Sequence, residues 1–121
     1  MRKLGRSFSC ALKGIGCSVC KGRNMKIHVL AAVLATVIGF VLDISRLEWA
    51  IIVLTIFMVL VAETINSAIE VTVDLVTEDH HHLAGLAKDL AAGGVLLTAI
   101  NAVIMALLIF GPRLMAGIRA L

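Results

Sequence analysis

An all-α integral-membrane fold, three transmembrane helices preceded by an amphipathic surface helix, is predicted by three features of this sequence. The 121-residue chain is 60% hydrophobic and only 16% charged, whereas soluble domains carry about 25% charged residues. Its apolar residues gather into three long runs, and crossing a hydrocarbon core takes about 20 residues. Ahead of the first run stands a basic segment whose apolar residues recur at helical spacing. The length allows one domain, so residues 1–121 are read as a single membrane domain.

The surface helix is placed at residues 1–24. Leu4, Phe8, Leu12, Ile15 and Val19 follow one another at intervals of four, four, three and four, which is one face of a helix. Arg2, Lys3, Arg6 and Lys13 lie largely off that face, as in a helix resting on anionic lipid. A secretory signal peptide would have its apolar region nearer the start and a small-residue cleavage site after it, and neither fits. Cys17-Ser18-Val19-Cys20 has CxxC spacing, and Cys10 lies upstream. No second pair and no βαβ pattern accompanies it, so reduced thiols on a cytoplasmic helix are the better reading than a zinc or redox centre.

The first span is placed at residues 25–42, near the lower limit for crossing a bilayer. His28 within it reads as an interfacial residue and Met25 as apolar packing. Residues 43–48 form a polar turn, and Trp49 is suited to anchor the interface. A second helix covers residues 49–76; it is apolar to Ala62 and then interleaves polar residues, so its carboxyl end leaves the membrane. Residues 77–82 form a polar loop. Adjacent residues such as His80, His81 and His82 rarely converge on one ion, so a solvated loop is expected there. The third span is placed at residues 88–110, with Gly111-Pro112 predicted to stop it.

Orientation follows from Lys and Arg rather than from net charge. Of the 11 basic residues, seven lie at or before Lys26 and Lys88 lies in the second-to-third connection, against Arg46, Arg113 and Arg119 elsewhere. This predicts a cytoplasmic amino terminus, a cytoplasmic loop before Lys88 and an external carboxyl terminus. The net charge of +3 thus belongs to a membrane surface, and no nucleic-acid partner is expected.

The chemistry concentrates in the second helix. Glu63, Asn66, Ser67, Glu70 and Asp74 stand at offsets of zero, three, four, seven and eleven. At ~100° per residue the three carboxylates fall in a stripe roughly 40° wide, with Asn66 and Ser67 beside it. Ionisable groups at membrane depth mark function by default. A polar seam that only joins helices is the plainer alternative, and a single Asn or Ser would serve it. Three carboxylates on one stripe repel, so a cation should fill the seam, and oxygen-only ligands favour magnesium. Glu63 lies about 10 Å up the helix from Glu70, closer to a lipid headgroup, while Glu70 lies closer to the cytoplasm.

The run Glu63-Thr-Ile-Asn66-Ser67-Ala-Ile-Glu70-Val-Thr-Val-Asp74 resembles the signature of the prokaryotic diacylglycerol kinase family. Ala87-Lys88-Asp89-Leu-Ala-Ala-Gly-Gly-Val-Leu-Leu97 resembles its second motif. Arg23-Asn24-Met25-Lys26-Ile27-His28 is similar to the opening of the first span in the Gram-positive, undecaprenol kinase-like branch. The likeness covers nearly the whole chain in order. It implies a homotrimeric kinase of the bacterial cytoplasmic membrane that carries the γ-phosphate of ATP, with magnesium, to a lipid hydroxyl. Undecaprenol is favoured as the acceptor and diacylglycerol comes next. Such kinases use no P-loop, and no GxxxxGK[ST] occurs here.

Carried over by residue, the resemblance makes Glu63 the general base and Glu70 a ligand of metal and nucleotide, with Asn66 and Asp74 in support. Lys88 and Asp89 would stand near the ATP phosphates, Asp79 and His81 in a nucleotide-contacting loop, and neighbouring subunits would complete each site. The family's usual second metal-binding glutamate falls at Gly22. The alternative class is a non-catalytic kinase-like membrane protein or a small transporter subunit.

Overall fold

The computed structural model describes residues 2–121 and contains four helices: α1 (Arg2–Lys21), α2 (Arg23–Val41), α3 (Arg46–Val76) and α4 (His82–Arg119). Met1, placed in the surface helix by the sequence, lies outside the described residues, as do the side chains of Arg2, Lys21 and Arg23. Three of the helices, α2, α3 and α4, are long and apolar enough to cross a membrane. The fold is all-α among the described residues, as the sequence predicts.

α1 exposes its entire apolar face, with Leu4 78% and Phe8 69% accessible and Leu12, Ile15 and Val19 also open. Nothing among the described residues covers that face, which suits it to an apolar boundary outside the chain. Gly22 separates α1 from α2 and caps α2 without a side-chain bond, at φ −79° and ψ 112°. Any residue can adopt those angles, so glycine is there for space. A Cβ at Gly22 would lie 2.8 Å from the Ser18 carbonyl oxygen and 3.0 Å from Met25 Cβ. Met25 is only 2% exposed and cannot easily yield.

At the far end of α2 the chain reverses through residues 42–45. Asp43 takes the left-handed conformation at φ 48°, which short polar side chains tolerate. Ser45 then starts α3 with a capping box: the Glu48 N–H donates to Ser45 Oγ at 3.3 Å and the Ser45 N–H donates to Glu48 Oε2 at 2.7 Å. Gly39 admits the Trp49 ring, since a Cβ there would meet its Cη2 at 2.8 Å. Phe40 packs on the same ring, centroids 4.7 Å apart. Ile44, Ile52, Ile109 and Phe110 form the buried apolar cluster at this end, with Trp49 and Ala106 against it.

Two expectations need correction. Gly111-Pro112 does not stop the third span, because α4 runs through Pro112 to Arg119. Proline forfeits one intrahelical hydrogen bond, but the next residue ties the helix down. Arg113 Nη2 pairs with Glu48 Oε2 at 2.6 Å, and Nη1 donates to the carbonyls of Leu42 (3.3 Å) and Asp43 (3.2 Å). The polar loop also ends one residue early. His81 caps α4 by accepting the Leu83 N–H on Nδ1 at 3.2 Å, so His82 is already helical.

α3 buries Ile52, Thr55, Val59, Glu63 and Asn66, at intervals of three, four, four and three. One continuous helix face therefore passes from apolar core to carboxylate.

Candidate functional site

Glu63 and Asn66 are the innermost polar groups of this face, only 3% and 4% exposed. Glu63 Oε2 and Asn66 Oδ1 are buried without a hydrogen-bond partner among the described residues. A buried acceptor left in that state costs about 1–3 kcal/mol, so the fold maintains unmet capacity here. Asn66 spends its donor on the next turn, where Nδ2 bonds Glu70 Oε1 at 3.1 Å and so orients that carboxylate.

α2 contributes His28, with Nε2 4.0 Å from Glu63 Oε2 and the side chain only 18% exposed. His28 lies in the second turn of α2 and is turned inward on α3. α1 contributes Ser18, which is 9% exposed. Thr64 Oγ1 already donates to the Leu60 carbonyl at 2.8 Å, so the Ser18 hydroxyl donates in the 3.4 Å contact between the two. The residue beside Glu63 thereby receives the end of the surface helix. Sequence reading missed Ser18, Thr64 and His28 as parts of the site. For His28 a signal existed, since an ionisable residue inside an apolar helix invites a functional explanation.

Nearer the end of α3 the groups are open to solvent. Glu70 and Asp74 are exposed, and Lys88 Nζ reaches from α4 to Asp74 Oδ1 at 2.6 Å. Asp74, Thr77, Asp79, His81 and Lys88 line one open pocket of about 510 Å³. Four predicted residues thus come together, while Glu70 and Asp89 do not line this pocket. Asp79 is exposed and its N–H donates to Thr77 Oγ1 at 3.2 Å, which sets the loop.

A second cavity, about 280 Å³ and almost wholly apolar, lies between α2, α3 and α4. Ala31, Ala35, Thr55, Val59 and Ala102 line it, and His28 stands on its wall. His28 therefore faces both this cavity and Glu63.

Among the described residues no three His, Cys, Asp or Glu side chains are grouped to hold a metal ion. Magnesium does not require such a cage, because one carboxylate with nucleotide phosphates and water is a usual arrangement. The open carboxylate of Glu70, steadied by Asn66, fits that requirement. Gly22 contributes no ligand. Cys10, Cys17 and Cys20 are free and exposed.

The model of the prokaryotic diacylglycerol kinases matches residues 9–110, which include every residue of the site described above. The chain belongs to the prokaryotic diacylglycerol kinase family. Among its relatives, the undecaprenol kinase of Bacillus subtilis is 42% identical over 114 residues, covering 94% of this chain and 93% of that protein. The diacylglycerol kinase of Synechocystis is 37% identical over 91% of this chain, which spans 63% of the Synechocystis protein. The diacylglycerol kinase of Escherichia coli K12 is 37% identical over 75 residues, 62% of each chain.

Proposed function

We propose that this lipid kinase transfers the γ-phosphoryl group of ATP to the hydroxyl of undecaprenol, with diacylglycerol the next acceptor, at the cytoplasmic face of a bacterial membrane. The observation that carries the reading is the buried Glu63 carboxylate, whose Oε2 has no hydrogen-bond partner among the described residues, lying on α3 below an exposed pocket with a lysine on its wall. A base for a lipid hydroxyl belongs at membrane depth, and a nucleotide site belongs where water reaches.

Glu63 Oε2 takes the hydroxyl proton as the lipid oxygen attacks the γ-phosphorus in line, and ADP leaves. Phosphoryl transfer of this kind asks the protein mainly for position and charge. Lys88 supplies positive charge to the phosphates and exchanges Asp74 for them on binding. Asp79, His81 and Asp89 complete the nucleotide side, and Asn66 holds Glu70 in place. Magnesium, held by Glu70, would neutralise the phosphate oxygens when bound. The preference for undecaprenol rests on the Bacillus subtilis relative, matched over nearly the full length of both chains.

The working unit in this reading is a homotrimer with shared sites. Leu54, Phe57, Val61 and Ile65 stay exposed along α3 at spacings of three and four, the pattern of a helix seam awaiting a neighbour. The amino terminus is cytoplasmic, because the basic residues gather at that end.

The test is Glu63→Gln in purified protein with labelled ATP, magnesium, and undecaprenol or diacylglycerol in parallel. Turnover should fall by roughly 10²–10⁴-fold, the usual contribution of a general base, with assembly and nucleotide binding retained. A variant that keeps more than about a tenth of the wild-type rate is incompatible with Glu63 as the base.

A further inference from the structure

We infer that His28 and Glu63 together hold the acceptor hydroxyl, His28 donating from Nε2 while Glu63 Oε2 receives the proton. This deepens the reading of Glu63 as the base and rests on it. Nε2 and Oε2 are 4.0 Å apart. A direct N–H···O bond needs about 2.7–3.2 Å, so the two side chains are not bonded to each other. The separation does suit one shared oxygen: an atom ~2.8 Å from each would subtend an angle of roughly 90°, within reach of a hydroxyl using one hydrogen and one lone pair.

Two further observations place the hydroxyl of a lipid there. Glu63 Oε2 is buried and lacks a partner, so it has capacity for an incoming donor. His28 lines the apolar cavity between the spans, whose other walls are mainly alanine and aliphatic side chains. A hydrocarbon chain in that cavity presents its polar end at His28. A packing role alone would be filled better by an aliphatic residue than by an imidazole whose ring nitrogen faces a carboxylate.

The step balances as follows. The acceptor O–H bond breaks and its proton passes to Glu63 Oε2. One oxygen lone pair forms the new bond to the γ-phosphorus of ATP, and the bond to the bridging oxygen breaks with its electron pair leaving on ADP. The second lone pair of the acceptor oxygen takes the His28 Nε2–H bond, which fixes the attacking pair toward phosphorus. Nothing is oxidised or reduced.

The test compares His28→Leu, which fills the volume without a donor, with His28→Gln, whose amide nitrogen reaches about as far as Nε2. Full-length protein in mixed micelles is titrated with undecaprenol and with ATP separately, beside Glu63→Gln. His28→Leu should lower kcat/KM for the lipid by roughly 3- to 10-fold, as expected for a hydrogen bond between neutral groups. The KM for ATP should stay within about twofold of wild type, and His28→Gln should recover most of the loss. A His28→Leu enzyme with normal lipid kinetics overturns the inference, as does an equal loss in both variants with a raised KM for ATP. If His28→Leu does not accumulate, His28→Asn replaces it, because its shorter amide falls short of the oxygen. Equal rates for Asn and Gln then overturn the inference. Activity retained in Glu63→Gln removes the base assignment itself, whereas an inactive Glu63→Gln beside a normal His28→Leu removes only the role of His28.

Discussion

Restoring a side chain at Gly22 sets a steric cost against a metal-binding gain, and the two can be measured separately. A Cβ placed there lies 2.8 Å from the Ser18 carbonyl oxygen and 3.0 Å from Met25 Cβ. The carbonyl belongs to the backbone of α1 and Met25 is buried, so the junction itself must shift. Overpacking of this kind costs about 1–3 kcal/mol. Because φ at Gly22 is −79°, replacing glycine also narrows the unfolded ensemble, which returns about 0.4–1 kcal/mol. Gly22→Ala should therefore lose about 1–2 kcal/mol in reversible unfolding from detergent micelles. Gly22→Gln and Gly22→Glu should lose similar amounts. Only Gly22→Glu adds charge that can share a cation with Glu70, so it alone should lower the magnesium needed for half-maximal rate. Its turnover should exceed that of Gly22→Gln, with wild type as the unstrained reference. Equal magnesium dependence in the Glu and Gln variants would refute the account of the metal site. Wild-type stability in Gly22→Ala would refute the steric account.

Three other outcomes are expected. Lys88→Ala should raise the KM for ATP by roughly tenfold or more, the scale of a lost charge-assisted hydrogen bond, and leave the lipid KM nearly unchanged. The reverse pattern would show that Lys88 serves the lipid. Arg113→Ala removes an ion pair and two carbonyl bonds at partly exposed positions, so unfolding should become measurably easier. Its kcat should hold within about twofold because the tie lies at the opposite end of α3 from the Lys88 pocket, and a large fall in kcat would connect that end to the chemistry. Finally, Leu121→Cys in a background with Cys10, Cys17 and Cys20 changed to Ser should be labelled by impermeant maleimide from outside intact cells. Labelling only after permeabilisation would reverse the orientation.

The helices were legible because their causes are local. Apolar run lengths and the helical spacing of Leu4 to Val19 lie within short windows, whereas the capping box of Ser45 and Glu48 went unread and α3 begins at Arg46 rather than Trp49. The carboxylate stripe was legible for the same reason, since residues on one helix fix their own relative angles. Contacts between distant residues were not. His28 and Glu63 are separated by 35 positions, and nothing near either names the other. Pro112 misled because its local preference is to end a helix, while Arg113 draws the following turn onto residues some 70 positions earlier. The helix face showed that Glu63 and Asp74 share a direction. It did not show that α2 would bring His28 to Glu63 and α4 would bring Lys88 to Asp74.

The tie of Arg113 to the turn between α2 and α3 has a consequence for how the enzyme meets different membranes. Trp49, Glu48 and Arg113 pin one end of α3, and Glu63 follows Trp49 by 14 residues, a rise of about 21 Å. A hydrocarbon core of about 30 Å then leaves about 9 Å between the carboxylate and the opposite boundary, where the proposed reaction puts the acceptor headgroup. A core near 27 Å leaves about 6 Å, and one near 33 Å about 12 Å. In the proposed orientation the depth of Glu63 is set from the far leaflet, and turnover is then expected to vary with the acyl-chain length of the host membrane.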